Sequence, residues 1–81
     1  MKGKYKTVHT TTNIVVSEQP ASGTEIDVIY INDGNTSVTV TANAQVYKTI
    51  TGSDLVVTIP PGMYGEINFT NVNGVIYVRG D

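Results

Sequence analysis

The sequence predicts an all-β domain, a small antiparallel β-sandwich or jelly-roll-like barrel of about seven to eight short strands. Valine, isoleucine and threonine make up 32 of the 81 residues, and their branched Cβ atoms favour extended backbone. Leucine occurs once and alanine three times, so the strongest helix formers are nearly absent. Turn signals recur roughly every eight to twelve residues, the spacing of small sandwiches and barrels. Coiled coils, helix bundles and α/β nucleotide folds, which need long helices, are therefore excluded.

The chain begins with a lysine-rich segment. Residues 1–6 read Met-Lys-Gly-Lys-Tyr-Lys, which we interpret as a flexible basic arm, followed by a single β-sandwich domain over residues 7–81. Three of the five basic residues of the chain lie in this arm, namely Lys2, Lys4 and Lys6. Because the net charge is −2, the remainder of the chain is acidic. We therefore expect the arm to contact an acidic surface of a partner.

Four strands are predicted before residue 43. The threonine-rich residues 7–12 are compatible with an edge strand, and residues 13–18 form a better one. Residues 25–31 and 36–42 flank a turn at Asn32-Asp33-Gly34. A two-residue turn would pair Ile29 with Val38, whereas a three-residue loop would pair Val28 with Val38 and Ile26 with Val40. We prefer the second register because it joins the alternating apolar faces, and it leaves Ile29 and Ile31 outside.

Four more strands are predicted in the carboxyl-terminal half. Residues 46–51 and 55–59 flank a turn, and Pro60-Pro61-Gly62 ends the second of them because proline donates no ladder hydrogen bond. Residues 64–72 and 75–79 flank Asn73-Gly74, the strongest hairpin signal in the chain. A two-residue loop there pairs Phe69 with Val78 and Asn71 with Ile76.

The sequence does not predict an enzyme. His9, the only histidine, lies among threonines near the amino end and is interpreted as an exposed strand residue. The absence of cysteine rules out disulfides and thiolate metal sites. The segment Asn32-Asp33-Gly34-Asn35 resembles part of a calcium loop but lacks its closing glutamate, so we interpret it as a turn. We therefore expect no catalytic residue, no metal and no cofactor.

Charge and hydropathy limit the partners. The basic residues are too few to bind nucleic acid through its phosphates. No apolar run approaches the roughly 20 residues that span a bilayer, so no membrane partner is expected. No apolar run follows Lys2, so we expect no secretory signal.

The apolar residues exceed what one small core can bury. An 81-residue domain without disulfides is marginally stable, and oligomerisation is the remaining source of stability. Contiguous apolar patches on an outer face usually mark contacts with partners. We therefore predict a homo-oligomer, a dimer or trimer, with a subunit interface that includes Val15, Ile29, Ile31, Val56 and Tyr77.

The alternative function is a carbohydrate- or receptor-binding module of a fibre or adhesin. Aromatic rings serve as contact platforms, and two tyrosines lie next to predicted loops. The chain also ends in Arg-Gly-Asp, a tripeptide that many adhesion receptors recognise. The candidate contacts of this alternative are Tyr47, Tyr64, Arg79 and Asp81.

Residues 55–81 resemble a known group of proteins. The stretch Ile-Pro-Pro-Gly-Met-Tyr-Gly-Glu-Ile-Asn-Phe over residues 59–69, followed by the hairpin at Asn73-Gly74, resembles small tailed-bacteriophage virion proteins. These are capsid decoration or auxiliary proteins and the base domains of head fibres. The resemblance implies a non-enzymatic structural protein, often trimeric or dimeric, seated on the major capsid protein or another virion protein. We expect it to be made in the host cytoplasm, to reside in the virion, and to attach through Lys2, Lys4 and Lys6.

Overall fold

The computed structural model describes residues 2–81, and of Lys2 the backbone only. The predicted all-β class is confirmed: seven strands form two sheets, and no helix occurs over residues 2–81. The strands are β1 (Lys2–Thr10), β2 (Ile14–Val15), β3 (Thr24–Asn32), β4 (Val38–Ala42), β5 (Leu55–Ile59), β6 (Tyr64–Val72) and β7 (Val75–Gly80).

The two sheets stack as a sandwich and do not close into a barrel. One sheet has four strands in the order β1-β3-β6-β7, and the other has three in the order β2-β4-β5. The predicted purely antiparallel arrangement is wrong, because β1 runs parallel to β3 and β2 runs parallel to β4. The reason is that the chain changes sheets after each of the first three strands. Each return therefore brings it back in its original direction beside an earlier strand.

The turn after β3 does not close a hairpin, so both registers predicted there are wrong. Strand β3 pairs with β1 and β6, whereas β4 pairs with β2 and β5. The fully buried side chain of Asn32 directs the crossing, because its Nδ2 donates to the carbonyl oxygen of Thr36 at 2.8 Å and to that of Ile59 at 3.0 Å. Its Oδ1 accepts from the backbone N–H of Gly34 at 2.8 Å. These bonds carry the chain from one sheet into the other.

The residues predicted as a flexible arm, 1–6, belong largely to the first strand of the structure. Strand β1 begins at Lys2, and its backbone is paired with β3, with Lys4 opposite Ile26 and Lys6 opposite Val28. Residues 2–6 are therefore part of the sheet rather than a separate arm, and Met1 lies outside the described residues. The predicted boundary at residue 7 missed this because the pairing is set by β3, more than twenty positions along the chain.

Two of the predicted strands are shorter or absent. The strand predicted at residues 13–18 is reduced to β2, Ile14–Val15. The strand predicted at residues 46–51 is wrong, since residues 43–54 form a loop with one isolated bridge, between Lys48 and Tyr77. The reason is the burial of Tyr47, whose ring packs 5.4 Å from that of Phe69 and draws the loop across the edge of β7.

The hairpin β6–β7 has the predicted register. Phe69 pairs with Val78 and Asn71 pairs with Ile76. Asn73 and Gly74 have φ values of 53° and 90°, as a type I′ turn requires. The core lies between the sheets, and β4, β5, β6 and β7 contribute to it Val38, Val40, Ala42, Val57, Ile59, Ile67, Phe69, Ile76 and Val78.

Candidate functional site

The outer face of the four-stranded sheet carries a continuous polar row. Successive side chains of a strand point to opposite faces of the sheet. The residues next to a core residue therefore point outward, and their ladder partners on neighbouring strands form rows on the outer face. The ladders place Tyr5, Asp27, Asn68 and Arg79 side by side across all four strands. The adjacent row contains Glu25, Thr70 and Tyr77.

Asn68 is the centre of this polar row. Its Nδ2 donates to Oδ1 of Asp27 at 2.7 Å and to Oε1 of Glu25 at 3.0 Å. Its Oδ1 accepts from Oγ1 of Thr70 at 2.6 Å, and the residue is only 8 % exposed. The amide therefore holds two carboxylates in fixed positions on one face of the sheet. Hydrogen bonds to ionised groups are stronger than those between neutral groups, so this arrangement is well ordered.

A groove of about 470 Å³ runs over this face. One wall is the segment Lys48 to Ile50, and the floor includes Asn68, Tyr77 and Arg79. A second hollow of about 350 Å³ shares Ile50, Asn68 and Arg79 with the first and continues the groove towards the carboxyl end of the chain. The wall is anchored to the edge of β7, because the N–H of Lys48 donates to the carbonyl oxygen of Ile76 at 2.8 Å and its carbonyl oxygen accepts from Val78 at 2.9 Å.

The terminal tripeptide lies in the sheet rather than in a loop. The N–H of Asp81 donates to the carbonyl oxygen of Glu66, and the N–H of Glu66 donates to that of Asp81, both at 3.1 Å. Arg79 and Asp81, two of the predicted receptor contacts, both line the second hollow. The tripeptide is therefore fixed in an extended form.

The two predicted tyrosine contacts differ. Tyr47 is 3 % exposed, and its hydroxyl donates to the carbonyl oxygen of Glu18 at 2.8 Å, so the prediction of a ligand contact there is wrong. The sequence around Tyr47 does not show that the ring of Tyr47 packs in the core against Phe69, because Phe69 lies on a distant strand. Burial raises the pKa of the Tyr47 phenol. Tyr64 is 69 % exposed and lies on the outer face of the four-stranded sheet, opposite Ile31.

The five residues predicted for a subunit interface lie on two opposite faces. Val15 and Val56 flank Thr41 on the outer face of the three-stranded sheet. Ile29, Ile31 and Tyr77 belong to the outer face of the four-stranded sheet. Ile29 and Ile31 are partly buried beside Met63 and Tyr64. One flat contact therefore cannot include all five.

Lys4, Lys6 and His9 of strand β1 lie on the surface of the domain, and two of them have an acidic partner. Lys4 is exposed, and Nζ of Lys6 forms an ion pair with Oε2 of Glu18 at 2.7 Å. Nδ1 of His9 lies 2.8 Å from Oδ2 of Asp33 on the surface. The side chain of Lys2, the third predicted contact, lies outside the described part of the chain.

Sequence reasoning missed Asn68 and the groove around it. The alternation of residues 25–31 puts Glu25 and Asp27 on the same face as Ile29 and Ile31, but the residue that joins the two carboxylates is more than forty positions away. Period-two alternation places Asn68 outward, between the inward Ile67 and Phe69, and this was the available signal.

Comparisons with protein-family models, with curated proteins and with solved structures found no match. Within residues 2–81, no three histidine or acidic side chains are grouped as metal ligands. No helix in the same residues has the length and apolarity to cross a membrane. The candidate sites are therefore defined by their geometry.

Proposed function

We propose that this chain is a non-enzymatic structural protein that forms homo-oligomers and attaches to a larger protein assembly, a bacteriophage virion. The observation that carries the proposal is the uncharged outer face of the three-stranded sheet. The virion as the setting rests on the resemblance of residues 55–81. The capsid would gain clamping contacts across its subunits, without chemistry.

The outer face of the three-stranded sheet consists of two rows. Val15, Thr41 and Val56 form one row, and Thr39 and Thr58 form the next. Val15 is 71 % exposed and Val56 is 53 % exposed. None of the five side chains is charged, and depletion of charged residues marks the buried centre of protein interfaces. A second copy of the chain is a fitting occupant, because two such faces offer each other only apolar and hydroxyl groups.

Oligomerisation also supports the stability of so small a domain. A partner that binds only the folded chain stabilises it by mass action. Burial of two exposed valines on each subunit removes apolar surface from water, at about 25 cal/mol per Å². The association is therefore expected to raise the melting temperature as protein concentration rises.

Analytical ultracentrifugation tests the oligomer. We expect the wild-type chain to sediment as a dimer or trimer, and Val15→Lys and Val56→Lys to sediment as folded monomers, because a buried unpaired ammonium is costly. Val46→Lys is the matched control, since Val46 is an exposed valine in the loop between β4 and β5 rather than on a strand of this sheet. A monomeric wild type, or variants that associate as the wild type does, would contradict the proposed interface.

Attachment to the capsid is tested separately. Lys4 is exposed on the basic amino-terminal strand, so Lys4→Glu should weaken co-sedimentation with capsids that lack the protein. Lys48→Glu, which makes the same charge change on another exposed lysine, should leave it intact. Equal binding of both variants would exclude the lysine contact, and no binding by the wild type would exclude the virion role.

A further inference from the structure

The groove over Asn68 has the features of a ligand site on the sheet opposite the proposed subunit interface. We propose that it binds a neutral oligosaccharide, an activity that goes beyond the structural role and does not depend on it. The ligand's hydroxyl groups would meet the polar row of Asp27, Asn68 and Arg79, and one face of a sugar ring would meet Tyr77.

The first observation is a pair of positioned acceptors. Asn68 occupies one oxygen of Glu25 and one oxygen of Asp27. An ionised carboxylate has two oxygens with about four acceptor sites, so each group keeps acceptor capacity. Because Asn68 is nearly buried, both of its amide hydrogens are used and its Oδ1 accepts from Thr70, the carboxylates are held before any ligand arrives. Such preorganisation lowers the entropic cost of binding.

The second observation is a set of donors on the other side of Asn68. The ladder places Arg79 next to Asn68 on the strand opposite from Asp27, and Lys48 lines the same groove. Neighbouring strands are about 4.8 Å apart, so donors and acceptors are separated by roughly two strand spacings. Every sugar hydroxyl both donates and accepts a hydrogen bond, so hydroxyls on opposite sides of one sugar ring or on adjacent sugars can meet the acceptors and the donors together.

The third observation is the apolar end of the groove. Tyr77 is 47 % exposed, and Val72 and Ile50 lie beside it in the lining. An aromatic ring with an apolar face and a polar hydroxyl suits the C–H face of a sugar. The two connected hollows extend the groove from this end towards Asp81, which favours a chain of sugars over a single one.

The fourth observation disfavours an extended peptide. Peptides that join a sheet use a free edge, where their backbone continues the ladder. At this groove the edge of β7 is taken by Lys48, which bonds to Ile76 and Val78. The lining of the two hollows carries four carboxylates against the two cations of Lys48 and Arg79, so its net charge disfavours an acidic ligand. The two cations lie inside the groove and disfavour a basic ligand. A neutral ligand with many hydroxyls is the remaining match.

An array of neutral and acidic glycans, followed by calorimetric titration of the retained oligosaccharide, tests the proposal. We expect a neutral oligosaccharide to bind and Arg79→Ala or Tyr77→Ala to weaken it about tenfold or more. Tyr64→Ala is the control, because Tyr64 is an exposed tyrosine on the same face outside this groove. It should change the dissociation constant by less than about twofold.

A milder variant keeps the test decisive if an alanine variant unfolds. Glu25→Gln retains the shape of the side chain and an acceptor for Asn68 but removes the charge, so it should weaken binding while the melting temperature stays close to the wild-type value. Retention of no glycan, retention of acidic glycans alone, or equal affinity of folded Arg79, Tyr77 and Glu25 variants would overturn the site. Because all of these residues lie on the four-stranded sheet, none of these results bears on the oligomer.

Discussion

The side-chain amide of Asn32 donates a hydrogen bond to the carbonyl oxygen of Ile59 at 3.0 Å, and this bond joins the last residue of β3 to the last residue of β5 in the opposite sheet. The backbone of Asn32 also accepts from the N–H of Gly62 at 2.9 Å and donates to the carbonyl oxygen of Met63 at 3.0 Å. One buried side chain and its backbone therefore hold together the turn after β3 and the turn after β5.

Replacement of Asn32 should destabilise the whole domain. In Asn32→Ala the carbonyl oxygens of Thr36 and Ile59 lose their donor, and the buried one, that of Ile59, costs about 1–3 kcal/mol when it is left without a partner. We expect the free energy of unfolding, measured in urea, to fall by about 3 kcal/mol. Asn32→Asp should cost more, because a carboxylate repels the same oxygens. Asn35→Ala, an exposed change in the same turn, is the control, and a loss below about 1 kcal/mol in Asn32→Ala would contradict this role.

Gly65 permits the close approach of the two sheets. A Cβ atom at this buried position would lie 2.8 Å from Cγ1 of Val57 and 3.1 Å from Cδ1 of Ile59. Overpacking of a core costs about 1–3 kcal/mol, so Gly65→Ala should lower the free energy of unfolding by that amount. Gly3→Ala is the matched strand control, since its nearest neighbour would be 3.8 Å away. Equal stability of the two variants in urea would show that the sheets can separate without cost.

The parts that the sequence predicted well depend on local signals. The turn Asn73-Gly74 defines a loop length, and that length alone sets the register of Phe69 on Val78. The alternation of Val38, Val40 and Ala42 likewise identifies the inner face of β4, whichever strand lies beside it.

The parts that it did not predict depend on distant pairs. Alternation over residues 36–42 is the same whether β4 pairs with β3 or crosses to the other sheet. The choice is made by Asn32 and Ile59, which are 27 positions apart. In the same way, the carboxylates of Glu25 and Asp27 become part of a candidate site only because the register of β3 on β6 brings Asn68 between them.

Tyr30 makes the stability of the domain sensitive to alkaline pH. Burial of its phenol, together with the negative charge of Glu18, raises its pKa above the usual 10.0. Above about pH 10 the unfolded chain loses a proton that the folded chain keeps, so stability is full below that pH and falls as pH rises. The slope is about 1.4 kcal/mol per pH unit for one such group.

Urea unfolding at about pH 8 and about pH 11 measures this effect. Tyr30→Phe should lose less stability between the two pH values than the wild type, because the phenyl ring has no proton to lose. Some dependence remains, since burial also raises the pKa of Tyr47. Tyr5→Phe, at an exposed tyrosine, should keep the wild-type slope. An unchanged slope in Tyr30→Phe would assign the alkaline loss to other groups.

Tyr47 fixes the loop that forms one wall of the groove. Its ring lies 5.4 Å from that of Phe69, and the next residue, Lys48, accepts a hydrogen bond from the N–H of Val78 at 2.9 Å. Tyr47→Ala should cost about 3–5 kcal/mol through the cavity that it leaves, whereas Tyr47→Phe loses one hydrogen bond to Glu18, worth about 1 kcal/mol. The difference separates packing of the ring from bonding of its hydroxyl.

Amide hydrogen exchange shows which part of the structure opens in the two Tyr47 variants. In Tyr47→Ala the N–H of Val78 should exchange much faster, because the loop that accepts its hydrogen bond is released. In Tyr47→Phe it should stay protected, since the ring still holds Lys48 in place. The N–H of Val16, which donates to the carbonyl oxygen of Thr41 in the three-stranded sheet at 2.9 Å, is the reference. Equal acceleration of both amides in Tyr47→Ala would mean that the loop and the sandwich unfold as one unit, and that the wall of the groove has no local stability of its own.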